Sequence, residues 1–391
     1  MTEPGNEIAI SDDPRRPGGE VVVPGEVAAP ADGGETPFRL MLRKLRRHRL
    51  AQVSAVILLF FYLTALFAEV LAPTDPNATA SRYPLAPPQP LHLFDSSESG
   101  FRFAPYVEAY EIVIDPVALK RTFTFKPDQK IAVGFFVQSK PYKLFGLIPL
   151  DRKLIGPVDQ KQPFFLLGAD RLGRDMLSRL IHGARISLSV GLSGVALSLI
   201  IGVIMGGISG YLGGRTDMVI QRVIEFIWSL PTIPLWLGLA AAMPRDWTSL
   251  QAYFVITVIL ALIGWTELAR VVRGRVLALK SEDFVAAARL DGASDMRIIL
   301  RHIVPSFASH IIAVATLAIP GMILAETTLS YLGLGLTAPV VSWGVLLREA
   351  QNIRTVASAP WLLAPGFAVI LAVLALNFFG DGLRDAADPY N

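Results

Sequence analysis

Ser281-Glu282-Asp283-Phe284-Val285-Ala286-Ala287-Ala288-Arg289-Leu290-Asp291-Gly292-Ala293-Ser294-Asp295-Met296-Arg297, continuing Ile298-Ile299-Leu300-Arg301-His302-Ile303-Val304-Pro305, is a polar interruption between two long apolar blocks, roughly 252–273 and 307–330. Ser281 is placed to cap a helix, and the acids behind it suit the positive end of a helix dipole. Phe284 and the alanines 286–288 follow, and small residues permit close approach of another backbone. Gly292 breaks the helix and lets the chain turn. Ser294 or Asp295 caps a second helix that ends at Pro305. The stretch therefore predicts a short helix, a turn and a second helix with a small-residue face, a shape that fits a cleft on another protein.

Outward from this loop the chain is dominated by apolar blocks. Hydrophobic residues make up 52% and charged residues 18%, the latter below the roughly 25% of soluble domains. Blocks at roughly 50–72, 186–211, 224–243, 252–273, 307–330 and 360–380 each approach the ~20 residues that a bilayer-crossing helix needs. The expected fold is an all-α polytopic membrane protein with six transmembrane helices. The third block, 224–243, is interrupted by Pro231 and Pro234, which membrane helices tolerate where neighbours satisfy the freed backbone.

Charge orients the blocks. The net charge is +3, but Lys and Arg gather beside the apolar blocks, so the excess marks membrane boundaries rather than a nucleic-acid surface. Arg39, Arg43, Lys44, Arg46, Arg47 and Arg49 precede the first block and place the N-terminus in the cytoplasm. The loop before the fifth helix carries Arg270, Arg273, Arg275, Lys280, Arg289, Arg297 and Arg301, and an even number of crossings puts it and the C-terminus inside as well. Residues 1–37, rich in Pro, Gly and acids, read as a disordered cytoplasmic tail. Residues 38–72 hold the basic segment and first helix, 73–165 an extracytoplasmic insertion, and 166–391 the core with its cytoplasmic loop at 274–306. Within the insertion, 121–126, 131–138 and 142–148 have strand composition, bounded by Pro127-Asp128 and Ser139-Lys140-Pro141. They predict a small β subdomain, with an irregular loop as the alternative. There is no cysteine, so thiol and disulfide chemistry is excluded.

The loop resembles the coupling motif of ABC importer permeases: Glu-Ala-Ala, three residues, Gly, nine residues, then Ile-x-Leu-Pro. Ala286, Ala287 and Ala288 stand at the triplet, Gly292 at the glycine, and His302, Val304 and Pro305 at the end. Ala286 replaces the motif's glutamate, and Asp283 lies one helical turn away. Further motifs extend the resemblance from about 165 to the C-terminus: Leu167 to Asp175, Gly183-Ala184-Arg185-Ile186-Ser187-Leu188, Tyr331 to Leu336, Ser342-Trp343-Gly344, and Gly380 to Asp385 with Asp388-Pro389. The chain is similar to the C-type permease of oligopeptide and dipeptide importers.

The resemblance implies a permease subunit that pairs with a homologous B-type permease, two ATPase subunits and an extracytoplasmic binding protein. The chain has no Gly-x-x-x-x-Gly-Lys-Ser/Thr loop, so ATP and Mg2+ would sit on the ATPase partners, with no cofactor or metal on this chain. Phe284, Ala286, Ala287, Ala288, Asp291, Gly292, Arg297, Arg301 and Pro305 would form the ATPase-coupling surface. Arg297 and Arg301 would either pair with ATPase acids or mark the membrane boundary. Glu326 and Glu267 are candidates for the translocation pathway, because charges are costly at membrane depth. Glu326 would otherwise be satisfied by a neighbouring helix, and the spacing of Glu267 and Arg270 allows a structural ion pair. The glycines 202, 206, 207 and 210 predict close helix packing. A membrane enzyme finds no His-Glu-x-x-His or similar constellation among five scattered histidines. A self-sufficient channel or secondary transporter would leave the loop without purpose, and oligosaccharides or another small solute are the alternative cargo.

Overall fold

A computed structural model of the chain describes residues 37–97, 100–114, 121–244 and 246–387. Apart from Pro37, the expected tail at 1–37 lies outside the described residues, as do Asp388 and Pro389. The chain opens with α1 (Pro37–Leu45), α2 (Arg49–Leu66) and α3 (Ala68–Leu71). Met41 of α1 is buried, and it joins Ala313, Leu383 and Ala386 in a small apolar cluster. Helix α2 is apolar all round. Leu58, Phe61 and Ala65 face the protein, while Val53, Val56, Leu59, Phe60 and Leu63 are exposed, as expected where lipid takes the place of water.

The insertion is a four-stranded antiparallel sheet in the order β1 (Leu91–Ser97), β2 (Gly100–Ile114), β3 (Arg121–Leu144), β4 (Ile148–Pro157). The three expected strands differ from what forms. Segments 121–126, 131–138 and the start of 142–148 are one long strand, β3, while residues 145–147 are the turn of a hairpin into β4. The expected breakers sit where the register shifts. Lys126 pairs with Ala109 and Lys130 with Glu108, so residues 127–129 bulge out. Gln138 pairs with Arg152 and Tyr142 with Leu150, so 139–141 do the same. Proline has no donor for the ladder, and a bulge accommodates that without ending the strand. The sheet core is Val107, Ile131, Val133 and Phe164, with Tyr110, Phe165, Ala86 and Ala169 alongside.

The membrane core follows: α4 (Met176–Leu212), α5 (Gly214–Ser229), α6 (Thr232–Ala241) and α7 (Ser249–Leu279). Next come α8 (Asp283–Leu290), α9 (Asp295–Arg297), a π-helical turn at Ile298–Ile303, α10 (Val304–Ser306) and α11 (Ala308–Tyr331). The chain ends with α12 (Trp343–Arg348), α13 (Ile353–Ser358), a 3-10 turn at Pro360–Leu363 and α14 (Ala364–Ala387). Among the described residues five helices are long and apolar enough to cross a membrane. A sixth span requires α5 and α6 to count as one, and they meet at 86°. The expected helix at 224–243 is therefore corrected. It starts at Gly214 and breaks at Leu230-Pro231, because proline lacks the N–H to continue the ladder and disfavours helix at the residue before it.

Helices α4 and α7 pack closely through the glycine stripe. A β-carbon on Gly202 would meet Leu268 Cβ at 2.7 Å, and one on Gly210 would meet the Arg273 carbonyl oxygen at 2.8 Å. One on Gly206 would overlap the Ala269 carbonyl oxygen. Backbones can approach this closely only where side chains are missing.

Candidate functional site

The loop between α7 and α11 builds a compact unit on the end of the helix bundle. Helix α8 begins one residue later than the Ser281 cap predicted. Its N-cap is Glu282, and no side chain closes it. It ends in a Schellman arrangement in which the Ala293 N–H donates to the Ala288 carbonyl at 3.1 Å and the Gly292 N–H to the Arg289 carbonyl at 3.0 Å. Gly292 has φ +74, a left-handed conformation that side chains disfavour.

The second helical segment does not stop at Pro305. It tightens and widens in turn, from α9 through the π turn, and runs to Ser306 before kinking at Phe307. The Val304 N–H donates back five residues to the Ile299 carbonyl, and Pro305 has no N–H to offer. The wider π register accommodates that gap at the join with α11.

Burial sorts the candidate residues. Val285 and Ala288 are buried with Ile298, Ile299, Ile303 and Phe307, and the cluster includes Val272 and Val276 of α7, Ile311 of α11 and Tyr211 of α4. Ala288 faces inward here, unlike the other residues expected on the coupling surface. Its small side chain serves packing within the chain. Phe284, Ala286, Ala287, Asp291, Gly292, Arg297, Arg301 and Pro305 are exposed, as is Asp283. Three residues that sequence reasoning left aside join that face: Leu290 at 89% exposure, Met296 and Leu300. Neither Arg297 nor Arg301 has an ion-pair partner among the described residues. Arg289 donates to the Tyr211 hydroxyl at 2.9 Å, and its guanidinium lies 5.0 Å from the centre of that ring. Tyr211 carried no sequence signal, since its partner lies 78 positions away.

The pathway candidates separate. Glu326 is fully buried within the chain. Its carboxylate accepts from Ser187 at 3.1 Å and Ser330 at 2.8 Å, and Ser187 Oγ in turn accepts the Trp343 N–H. This arrangement matches the alternative reading of Glu326, a carboxylate satisfied by a neighbouring helix. It anchors the Ser342-Trp343-Gly344 corner, with the Trp343 indole N–H on the Leu180 carbonyl at 3.1 Å. Glu267 is exposed, and it lines an open cavity of about 460 Å³ with Trp228, Trp236, Gly264 and Met322. It forms no ion pair with Arg270, whose guanidinium instead stacks 3.9 Å from the Trp228 ring. The aromatic face competes well for a weakly hydrated guanidinium.

At the opposite end of α4, the Leu167–Asp175 motif folds around Asp170. Its Oδ1 accepts the N–H groups of Leu172 and Arg174, and its Oδ2 takes the guanidinium of Arg174 at 2.6 Å and that of Arg179. Glu349 completes the cluster against Arg174 at 2.9 Å. Asp175 caps α4 by accepting from Ser178 N–H at 2.9 Å.

Residues 198–390 match the family described as the inner membrane component of binding-protein-dependent transport systems. Residues 36–88 match the N-terminal TM domain of oligopeptide transport permease C. The oligopeptide transport system permease protein OppC of Haemophilus influenzae is 41% identical over 240 residues, which is 61% of this chain and 75% of that one. The chain belongs to this family of binding-protein-dependent permeases, in the permease C branch. The dipeptide transport system permease protein DppC of Bacillus subtilis is 41% identical to this permease over 224 residues, 57% of this chain and 68% of the relative. A putative peptide transport system permease protein of Brucella abortus is 31% identical over 370 residues, 93% of this permease and 97% of the relative. An alignment of that extent takes in the region of the β insertion. This permease is a multi-pass inner-membrane protein.

Proposed function

We propose that this permease is the C-type half of an ATP-driven importer of peptides, oligopeptides or dipeptides, delivered by an extracytoplasmic binding protein. The observation that carries the coupling role is the loop core. Val285 and Ala288 are locked against α4, α7 and α11, so a push on the exposed side of α8 reaches three long helices without a hinge. The partners are a homologous B-type permease and two ATPase subunits that hold ATP and Mg2+; this chain hydrolyses nothing. Six spans, with the α5–α6 pair as one broken crossing, leave both termini in the cytoplasm. The peptide cargo is inferred from the names of the relatives, several of which are peptide permeases.

Two variants test the coupling role. The chain is free of cysteine, so Ala287→Cys introduces a single thiol on the exposed face of α8. It is expected to crosslink to an ATPase subunit in the assembled complex. Gly292→Pro cannot adopt the φ of +74 found there, and it is expected to abolish uptake while membrane insertion persists. A thiol at 287 that captures no ATPase, together with normal uptake by the proline variant, would remove the coupling assignment. Uptake of labelled dipeptides or oligopeptides, with an oligosaccharide as the comparison, tests the cargo.

A further inference from the structure

The turn of the β3–β4 hairpin carries three exposed apolar side chains. Leu147 is 81% exposed, Ile148 51% and Phe145 45%. A hairpin tip in water is ordinarily built from polar turn residues. Here Phe145 takes φ +55 and Gly146 φ +71, a turn that holds the three side chains outward. The tip is not free to point anywhere. Its Phe145 ring lies 6.4 Å from that of Phe67, the residue that follows the last turn of the α2 span. Further along β4, Lys153 Nζ donates to the Glu69 carbonyl at 2.7 Å. Two attachments at the outer end of α2 lay the hairpin against that end of the span. Leu63, Leu66 and Phe67 are exposed there, so the lipid-facing surface of α2 continues onto Phe145. Lys140, Lys143 and Arg152 are exposed on the flanking strands, with Asp151 exposed among them.

We infer that the β3–β4 tip is a membrane anchor, with Phe145, Leu147 and Ile148 dipping into the outer leaflet beside α2 and the basic residues meeting the headgroups. The partner is the bilayer itself. Apolar side chains with a basic rim are the ordinary composition of an interfacial anchor, and aromatic residues concentrate at that depth. The sheet is thereby held at the membrane surface at a second point besides its own connections.

The test uses the full chain, cysteine-free except for one nitroxide label, assembled with its partners in vesicles of phosphatidylethanolamine and phosphatidylglycerol. Labels replace Leu147→Cys and Ile148→Cys, with Asp128→Cys on an exposed bulge of the same strand as the control. At 147 and 148, collisions with dissolved oxygen are expected to exceed those with a water-soluble nickel chelate several-fold, with the order reversed at 128. Free access of the chelate at 147 and 148 would place the tip in water and overturn the inference. Low access of both reagents would show that another protein covers it, and would overturn it equally. Photoactivatable phospholipid on the unsubstituted chain gives an independent check: crosslinks within 145–148 support the anchor, and crosslinks confined to the spans refute it.

Discussion

Glu349 shows how one side chain in the Asp170 cluster responds to its surroundings. Burial and the nearby charge of Asp170 push its carboxyl from 4.5 up to about 7, although Arg174 and Arg171 pull the other way. The folded protein thus holds this proton more tightly than the unfolded chain. Its contribution to stability is full below about pH 4.5 and is lost as pH rises through about 7. The thermal midpoint in detergent is expected to fall across that window, and Glu349→Gln to flatten the fall. A wild-type midpoint that rises from pH 5 to 7, with an unchanged slope in the glutamine variant, would contradict the assignment. The Leu167–Asp175 motif contains Asp170 and Arg174, but Arg179 lies outside it, and Glu349 lies 175 positions from Arg174, so no spacing rule connects them. Glu326 and Ala288 mark the same limit. The sequence singled out Glu326 as a costly charge and placed Ala288 in the coupling triplet, but whether a residue faces in or out depends on which neighbouring helix it meets.

The glycine stripe of α4 carries an element-scale prediction. Gly206→Val places a side chain against the Ala269 backbone carbonyl and Val272. Backbone on α7 cannot step aside as a flexible side chain can, so the cost is expected to exceed the ~1–3 kcal/mol of ordinary overpacking. Membrane levels of folded protein are expected to drop several-fold. Gly274→Ala on α7 meets nothing within 4 Å and is expected to be neutral or to stabilise by up to ~1 kcal/mol through helix propensity. Equal levels for both variants would argue against the packing account. Long elements with strong apolar composition were legible in the sequence: α2, α4, α7, α11 and α14 all lie where their blocks predicted. The sheet was legible only in part. Strands β1, β2 and β4 have mixed composition, and the prolines of β3 read as strand ends because a bulge and a break carry the same local signal. The α5–α6 bend was visible as Pro231, but its 86° angle is set by tertiary packing.

At the scale of the whole molecule, the chain is a set of long helices tied together at both ends. At one end the Asp170 cluster and the Trp343 corner join α4, α11 and α12. Arg185 fixes α4 to the end of α2 through the Ala65 carbonyl at 2.8 Å and Glu69 at 2.6 Å. At the other end the loop core binds α8 to α4, α7 and α11. The exposed faces of α5 and α8, with Met218, Val219, Phe226, Phe284 and Leu290 open to their surroundings, are unfilled in a single chain. That incompleteness is what a subunit of a larger machine should show. The motif order along the sequence was sufficient to indicate such a machine. The partners themselves could not be read, because their surfaces are written in other chains. Gentle affinity purification of this chain from its native membranes, with mass identification of every retained protein, tests the account most directly. It predicts recovery of a second homologous permease, ATPase subunits and an extracytoplasmic binding protein; repeated recovery of the chain alone, even after crosslinking, would contradict it.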